Sequence, residues 1–181
     1  MPSPIAHAVS GYAIVRGIAP SRVYKLWPLA LYAVFVAIAA DFDFVPHIVA
    51  GIDTHRGFTH SLAFAIAFSV IVSRLMSQRT STKWVRLFTL TLMIYGSHLL
   101  LDFFTQGGSG VPLLWPVSNQ TFQAAFPLFP AVHHSNGVFD SIHLIFLSFE
   151  LAYTVILLWS LSRWQAFNHQ RQHKTSHLNG R

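Results

Sequence analysis

Residues 26–43 read LWPLALYAVFVAIAADFD and join an uncharged apolar run to two carboxylates at its end. The first fifteen of these residues carry no charge, and Pro28 lies near the start, where a helix tolerates proline. Such a run predicts an apolar helix that crosses a bilayer or lies inside a helical bundle. Asp41 and Asp43 follow where this helix should end.

The composition of the 181-residue chain indicates a membrane protein. Charged residues make up only 10% (12 Lys or Arg and 6 Asp or Glu), whereas hydrophobic residues make up 52%. A soluble domain usually devotes about 25% of its residues to charge. This composition argues against a soluble enzyme, a disordered protein and a coiled coil. The absence of cysteine excludes disulfides and thiolate metal ligands.

Four apolar segments could cross a bilayer: residues 26–40, 61–73, 87–101 and 142–161. The first three are short, because about 20 residues suffice to span the hydrocarbon. Residues 5–18 predict a further N-terminal helix that lacks the features of a signal peptide. We therefore predict an all-α integral membrane bundle of about four spanning helices plus an N-terminal helix. Residues 1–162 should form the membrane domain, and residues 163–181 a basic cytoplasmic tail.

The basic residues predict the orientation of this bundle. If the helices alternate in direction, eleven of the 12 Lys and Arg residues lie on one side, which the positive-inside rule makes cytoplasmic. Arg56 and all five Asp residues then lie on the other side. We expect a multi-pass protein of the inner (plasma) membrane with a cytoplasmic C-terminus. The net charge of +6 fits these loops better than nucleic-acid binding, because the cations are not interleaved with aromatic residues on a polar surface.

Asp41 and Asp43 form the first of three polar motifs on the side opposite the cations. Two carboxylates at this spacing can converge on one cation or bridge two. The alternative is a pair of solvated acids, although acids at the end of a helix oppose its dipole. His47 is a further candidate for the same cluster.

The second motif, HRGFTHS at residues 55–61, places His55 and His60 at the entrance of the second apolar helix. Thr59 or Ser61 can cap that helix. Neutral imidazole is the commonest metal ligand, although a lone histidine here would more often be an interfacial residue. The planar guanidinium of Arg56 suits a phosphate group.

The third motif pairs His98 with Asp102, which share one face of the third apolar helix. The aspartate can ligate an ion, orient the histidine, or form only a structural hydrogen bond in the bundle. Ionisable groups at membrane depth are costly and by default mark function. A further group of polar residues lies around the fourth apolar helix, and the sequence leaves the role of this group open: His133, His134, Asp140, His143 and Glu150.

A site of His and Asp without Cys favours zinc, with manganese or iron as alternatives. Two or more such ions suit the hydrolysis of phosphate esters, because they activate water and neutralise the phosphoryl group. We therefore predict a metal-dependent hydrolase that acts on a small-molecule or lipid phosphate ester among the membrane lipids. The alternative is a non-enzymatic membrane protein, either a divalent-cation transporter or a binding scaffold. A transporter should place its ligands near the bilayer midplane, whereas nearly all of these lie at span ends.

Several strings of this sequence occur in the same order in one known family: His7, the Asp-x-Asp pair, HRGFTHS, GSHLLLDFFT at residues 96–105 and VPLLWP at residues 111–116. Over residues 7–116 the chain resembles the YdjM-like family of membrane-bound metal-dependent hydrolases. That family is distantly similar to zinc-dependent phospholipase C and P1-type nucleases. Where the family has P-D-x-D-H, this chain has Ala40 and Phe44 in place of Pro and His.

The resemblance and the motifs together imply two or more divalent ions. The metal ligands that we predict are His7, Asp41, Asp43, His55, His60, His98 and Asp102. Arg56, Asp41 and His98 are the predicted catalytic residues, with Arg56 holding the phosphate.

Overall fold

The computed structural model describes residues 4–18, 26–45, 49, 56–130 and 141–179. In these residues the fold is helical, with two isolated β-bridges in place of a sheet. Five α-helices follow one another in the described residues: α1 (Pro4–Ile18), α2 (Leu26–Ile38), α3 (Leu62–Arg79), α4 (Trp84–Phe103) and α5 (Ser141–Asn179). Short 3₁₀ segments at Ala39–Phe44 and Phe58–His60 separate α2 from α3.

Four stretches are long and apolar enough to cross a membrane: Trp27–Phe44, Leu62–Arg79, Trp84–Phe103 and Leu144–Arg171. The prediction of an all-α membrane bundle with four spanning helices and an N-terminal helix is thus confirmed. Large apolar side chains on these helices point outward; for example, Leu31 is 67% exposed and Leu151 is 66% exposed. Lipid can cover such side chains at no cost, whereas water cannot.

All four spans run longer than predicted from the sequence, and the second and fourth extend furthest beyond their predicted C-terminal ends. The second apolar segment continues beyond residue 73 to Arg79, and Ser61 caps the start of its helix. Ser61 has an extended backbone, and its side-chain oxygen accepts a hydrogen bond from the N–H of Phe64 at 3.1 Å. The fourth span belongs to α5, which continues to Asn179. Residues 163–179, which we expected to form a separate tail, are therefore part of this helix.

Close approaches of small residues hold the bundle together. Gly11 of α1 lies against α2, where an added Cβ would be only 2.8 Å from the carbonyl oxygen of Ala33 and from the Cβ of Ala37. The buried residues of α3 are all small: Ala65, Ser69 and Ser73 recur every four residues along one face. Small residues at such contacts let membrane helices pack backbone to backbone.

Helix α1 occupies the centre of the bundle, since it packs against α2, α4 and α5. Among the described residues, α5 packs mainly on α1. The core beside α1 consists chiefly of Val36, Ala37, Ile94, Tyr95 and Leu99.

The loop between α4 and residue 130 is fastened to the helix ends that carry the polar motifs. The N–H of Leu62, at the start of α3, donates to the carbonyl of Leu113 at 3.0 Å. The N–H of Gln106 donates to the carbonyl of Phe129 at 2.9 Å, and a second bridge joins Val111 to Phe122. The loop therefore lies over the end of the bundle where α2 and α4 end and α3 begins.

Candidate metal centre

Five of the predicted ligands converge at that end of the bundle. They come from α1, α4 and the two 3₁₀ segments: His7, Asp41, His60, His98 and Asp102. Their ligand atoms form two sets of three, His7 with His98 and Asp102, and Asp41 with His60 and His98. Within each set the atoms lie within 4.8 Å of one another, which is close enough to hold one metal ion.

His98 has the tautomer that a metal ligand needs. Its Nδ1 lies 2.7 Å from the carbonyl oxygen of Ala37, which can only accept a hydrogen bond. Nδ1 therefore carries the hydrogen, and Nε2 offers its lone pair to the centre. That Nε2 lies 3.5 Å from Oδ1 of Asp41 and 3.2 Å from Nε2 of His60.

His60 lies in a strongly negative environment. Its Nε2 is 3.2 Å from Oδ2 of Asp102 and 3.8 Å from Oδ1 of Asp41. Burial lowers the pKa of His60, but the carboxylates of Asp102, Asp41 and Asp43 outweigh burial and raise this pKa to about 11. The position therefore favours a positive charge, whether a proton or a cation.

Asp43 contacts the far side of the His60 ring. Its Oδ2 lies 3.1 Å from Nδ1 of His60 and accepts a hydrogen bond from the hydroxyl of Thr59 at 2.8 Å. It also lies 3.3 Å from the N–H of Gly57. The two carboxylates of the Asp-x-Asp motif thus face opposite nitrogens of one imidazole, with Asp41 inside the centre and Asp43 behind it.

His7 completes the cluster from α1. Its ring stacks on that of His98 with 3.8 Å between the centroids, and its Nε2 lies 3.5 Å from Oδ1 of Asp102. Within the described residues, neither nitrogen of His7 and neither carboxylate oxygen of Asp41 has a hydrogen-bond partner. Buried polar atoms are normally paired, so these atoms point to a missing ligand.

Arg56 lies beside the cluster in an unusual backbone conformation. Its φ of 56° falls in the left-handed region that residues other than glycine seldom adopt. Its Nη1 donates to the carbonyl of Gly107 at 3.0 Å, and its Nε lies 3.8 Å from Oδ2 of Asp102. Nε and Nη2 are buried without a hydrogen-bond partner in the described part of the chain. Gly108 leaves room for this guanidinium, because a Cβ there would be 2.9 Å from Nη1.

Several supporting groups were not identified from the sequence. Tyr95 donates its hydroxyl to the carbonyl of Thr59 at 2.8 Å and so holds the second 3₁₀ segment against α4. Thr59 lies inside the HRGFTHS motif, and Gly107 and Gly108 lie in the string GGSG at residues 107–110. These two patterns in the sequence could have pointed to the three residues. The role of the Ala37 carbonyl could not be inferred from the sequence, because every residue type has a backbone carbonyl.

Other candidate residues cannot be placed in the centre. The predicted ligand His55 lies outside the described residues, as do His47, His133, His134 and Asp140. His143 lies on α5, but its side chain is outside the described set. Glu150 is buried on α5 and belongs to neither set of three found among the described residues.

Comparison with known proteins identifies the family. The family described as YdjM inner membrane protein matches residues 1–171. The chain is also similar to the inner membrane protein YbcI of Escherichia coli (strain K12), with 33% identity over 129 residues that cover 68% of this chain and 73% of that protein. No solved structure matches the chain. The chain therefore belongs to the YdjM family of inner membrane proteins.

Proposed function

We propose that this membrane protein is a metal-dependent hydrolase that cleaves phosphate esters at the His/Asp centre. One observation carries the proposal: two sets of potential metal ligands share His98, and Nε of Arg56 lies 3.8 Å from Oδ2 of Asp102 in the same cluster without a hydrogen bond in the described residues. Ligands for cations and a donor for an anion are thus side by side. A phosphate ester bound to divalent ions requires this combination.

The donor atoms favour two ions, with zinc first and manganese or iron as alternatives. Nε2 of His98 has a single lone pair and can bind only one ion. Asp102 would contribute a ligand oxygen beside His7 and another beside His60, because Oδ1 lies 3.5 Å from Nε2 of His7 and Oδ2 lies 3.2 Å from Nε2 of His60. Asp43 and the carbonyl of Ala37 act behind the ligands and orient the rings of His60 and His98.

Divalent ions in such a centre acidify water and neutralise phosphoryl oxygens. The side chains of the protein bind the phosphate group and determine how substrate reaches the centre. Nη1 of Arg56 donates to the carbonyl of Gly107, whereas Nε and Nη2 make no hydrogen bond in the described part of the chain, so we assign these two to the phosphoryl oxygens. His7, His60, His98 and Asp102 are fully buried, whereas the side chain of Asp41 is 18% exposed. Substrate and water therefore enter on the side of Asp41.

The position of the centre favours a substrate at the membrane surface. Asp41 lies near the end of the span Trp27–Phe44, and Asp102 lies near the end of Trp84–Phe103. A phosphate ester of a lipid, or a small phosphate ester at the interface, reaches such a site directly. Following the distribution of Lys and Arg, we place the centre on the non-cytoplasmic side and the C-terminus in the cytoplasm.

Metal analysis of protein purified in detergent tests the centre itself. Wild type should retain zinc, manganese or iron, and His98→Ala and Asp41→Ala should lose most of it. His169→Ala removes an exposed histidine of α5 and is the matched control. Equal and negligible metal in all four proteins would refute the centre.

Hydrolysis assays test the activity. Metal-loaded wild type should release the product from model phosphodiesters or phospholipids, and a chelator should abolish this release. Arg56→Gln should retain metal but lose most of the activity. Metal retention in wild type without hydrolysis of any phosphate ester would refute the hydrolase and favour the alternative function.

That alternative, a divalent-cation transporter or a binding scaffold, is supported by Glu150. This residue lies inside the span Leu144–Arg171 and is only 4% exposed, as a carboxylate on an ion pathway would be. Metal uptake by vesicles that contain the protein, abolished in Glu150→Gln, would support transport. Hydrolysis that is unchanged in Glu150→Gln, with no uptake by wild type, would exclude it.

A further inference from the structure

The loop that lies over the metal-centre end of the bundle carries no charge. Residues 104–130 contain no Asp, Glu, Lys, Arg or His. About a quarter of the residues of a soluble domain are charged, so a loop of this length in water would normally have several. The loop therefore lacks the side chains by which a water-facing loop is solvated.

Large apolar side chains of this loop point away from the bundle. Val117 is 92% exposed and Phe126 is 86% exposed, and three further apolar residues of the loop are also exposed. We call these five residues the apolar rim: Leu114, Trp115, Val117, Phe126 and Leu128. Exposed apolar surface of this kind marks a contact with a membrane or with another protein.

One part of the apolar rim continues the outer surface of α3. The ring of Trp115 lies 5.7 Å from that of Phe58, and Phe58 lies 5.3 Å from the ring of Phe64 on α3, measured between centroids. Leu62 and Ile66, one turn apart on the same helix, are each half exposed. Apolar surface therefore runs from the loop onto the span that begins at Leu62.

The other part of the apolar rim lies at the end of α4. The N–H of Leu128 donates to the carbonyl of Phe104 at 2.7 Å, directly after the last residue of α4. One turn earlier, Leu100 is 57% exposed on the span Trp84–Phe103. Both parts of the rim thus adjoin spans whose outer side chains face lipid. Lipid can cover the loop and the spans together, whereas a protein partner would normally meet charged residues around an apolar patch.

The backbone of the loop suits a place with little water. Within residues 111–118, backbone N–H groups donate to carbonyls of the same loop at Val111, Leu113, Trp115, Val117 and Ser118. Pro112 and Pro116 have no N–H to satisfy. Unpaired backbone groups are what keep irregular loops out of lipid, so this pairing lets the loop enter the boundary between headgroups and acyl chains.

We propose that the apolar rim is inserted into the lipid leaflet on the side of the metal centre. Its side chains reach about 5–10 Å into the boundary between headgroups and acyl chains. Trp115 lies there in the zone that tryptophan favours in membrane proteins. Insertion also anchors the loop whose Gly107 carbonyl binds Arg56. It does not depend on the proposed hydrolysis, because no residue of the rim belongs to the metal centre.

Spin labels on single cysteines test this insertion, because the chain has no cysteine of its own. Val117→Cys and Phe126→Cys place labels on the rim of the full-length protein in nanodiscs of phosphatidylethanolamine and phosphatidylglycerol. Oxygen concentrates in lipid, whereas a water-soluble nickel chelate stays outside, so the ratio of the two relaxation effects reports depth. Ser81→Cys is the matched control, since Ser81 is exposed in the other link between spans, where Arg79 and Lys83 flank it.

The labels at positions 117 and 126 should lie about 5–10 Å deeper than the label at position 81. They should exclude the nickel chelate, as should a label introduced by Leu151→Cys on the outer surface of α5. Two results would each overturn the proposal. Labels at positions 117 and 126 that are as accessible to the nickel chelate as the label at position 81 would place the rim in water. Labels shielded from both oxygen and the chelate would show that protein, not lipid, covers the rim.

Discussion

Replacing Gly11 with alanine should displace α1 and remove His7 from the metal centre. The new Cβ would lie 2.8 Å from both the carbonyl oxygen of Ala33 and the Cβ of Ala37, and 3.1 Å from a methyl group of Ile94. Carbon atoms normally stay about 3.5–4.0 Å apart, so α1 must withdraw by about 1 Å. Overpacking of this kind costs about 1–3 kcal/mol of stability.

The same movement should weaken metal binding, because His7 lies one helical turn from Gly11. Metal–ligand distances tolerate a deviation of only about 0.2 Å. A shift of about 1 Å therefore removes His7 as a ligand, and we expect the affinity for the metal to fall roughly tenfold or more.

Thermal unfolding in detergent and metal titration of the apoprotein measure the two effects. Gly96→Ala is the matched control, because no atom lies within 4 Å of the position that its Cβ would take. The control should be at least as stable as wild type, because alanine favours a helix more than glycine does, and it should bind metal equally well. If Gly11→Ala unfolds at the wild-type temperature and binds metal normally, the close packing of α1 and its role in placing His7 are both wrong.

Other variants test individual contacts. Asp43→Asn should weaken metal binding about 10–100-fold while the protein stays folded, because it acts through the orientation of a ligand; unchanged affinity in the same titration would contradict that role. Gly108→Ala should retain metal but bind inorganic phosphate at least roughly tenfold more weakly, as measured by calorimetry. The new Cβ would displace Arg56, so that a charged hydrogen bond to the phosphate would be lost. Normal phosphate affinity would exclude Arg56 as the anion donor. Ser61→Ala should cost about 0.5–2 kcal/mol in thermal unfolding through loss of the α3 cap, with Ser81→Ala as an exposed control; equal stability of the two variants would refute the cap. A reporter fused after the exposed Gln120 should be active on the non-cytoplasmic side, and a cytoplasmic signal would reverse the orientation.

Much of the fold could be predicted from hydropathy, since the four spans and the N-terminal helix needed only apolar runs. The ends of the helices were harder. Ser61 marks the start of α3, but the continuation of α3 to Arg79 and of α5 to Asn179 crosses polar residues that carry no apolar signal. In those stretches the helix depends on backbone hydrogen bonds and favourable propensity instead of an apolar face.

The candidate site likewise contains residues that could be predicted from the sequence and contacts that could not. Residue types and spacing pointed to the histidines, the carboxylates and Arg56 that the structure brings together, because metal and anion chemistry restricts which side chains can serve. The different positions of Asp41 and Asp43 could not be predicted, since the 3₁₀ turn at Ala39–Phe44 directs one toward the centre and the other toward Thr59. The carbonyl of Ala37 was equally invisible, because its role depends on the approach of His98 from another helix.

The central position of α1 has a consequence for how the protein assembles. The other three ligand-bearing elements lie on the stretch from α2 to α4, and α1, which supplies His7, precedes them in the chain. Until α1 inserts beside them, however, the centre lacks His7 and α5 lacks its main partner. Packing of this one short helix therefore completes the candidate metal centre and also holds the last apolar helix. A nascent chain that fails at this step would lose both at once.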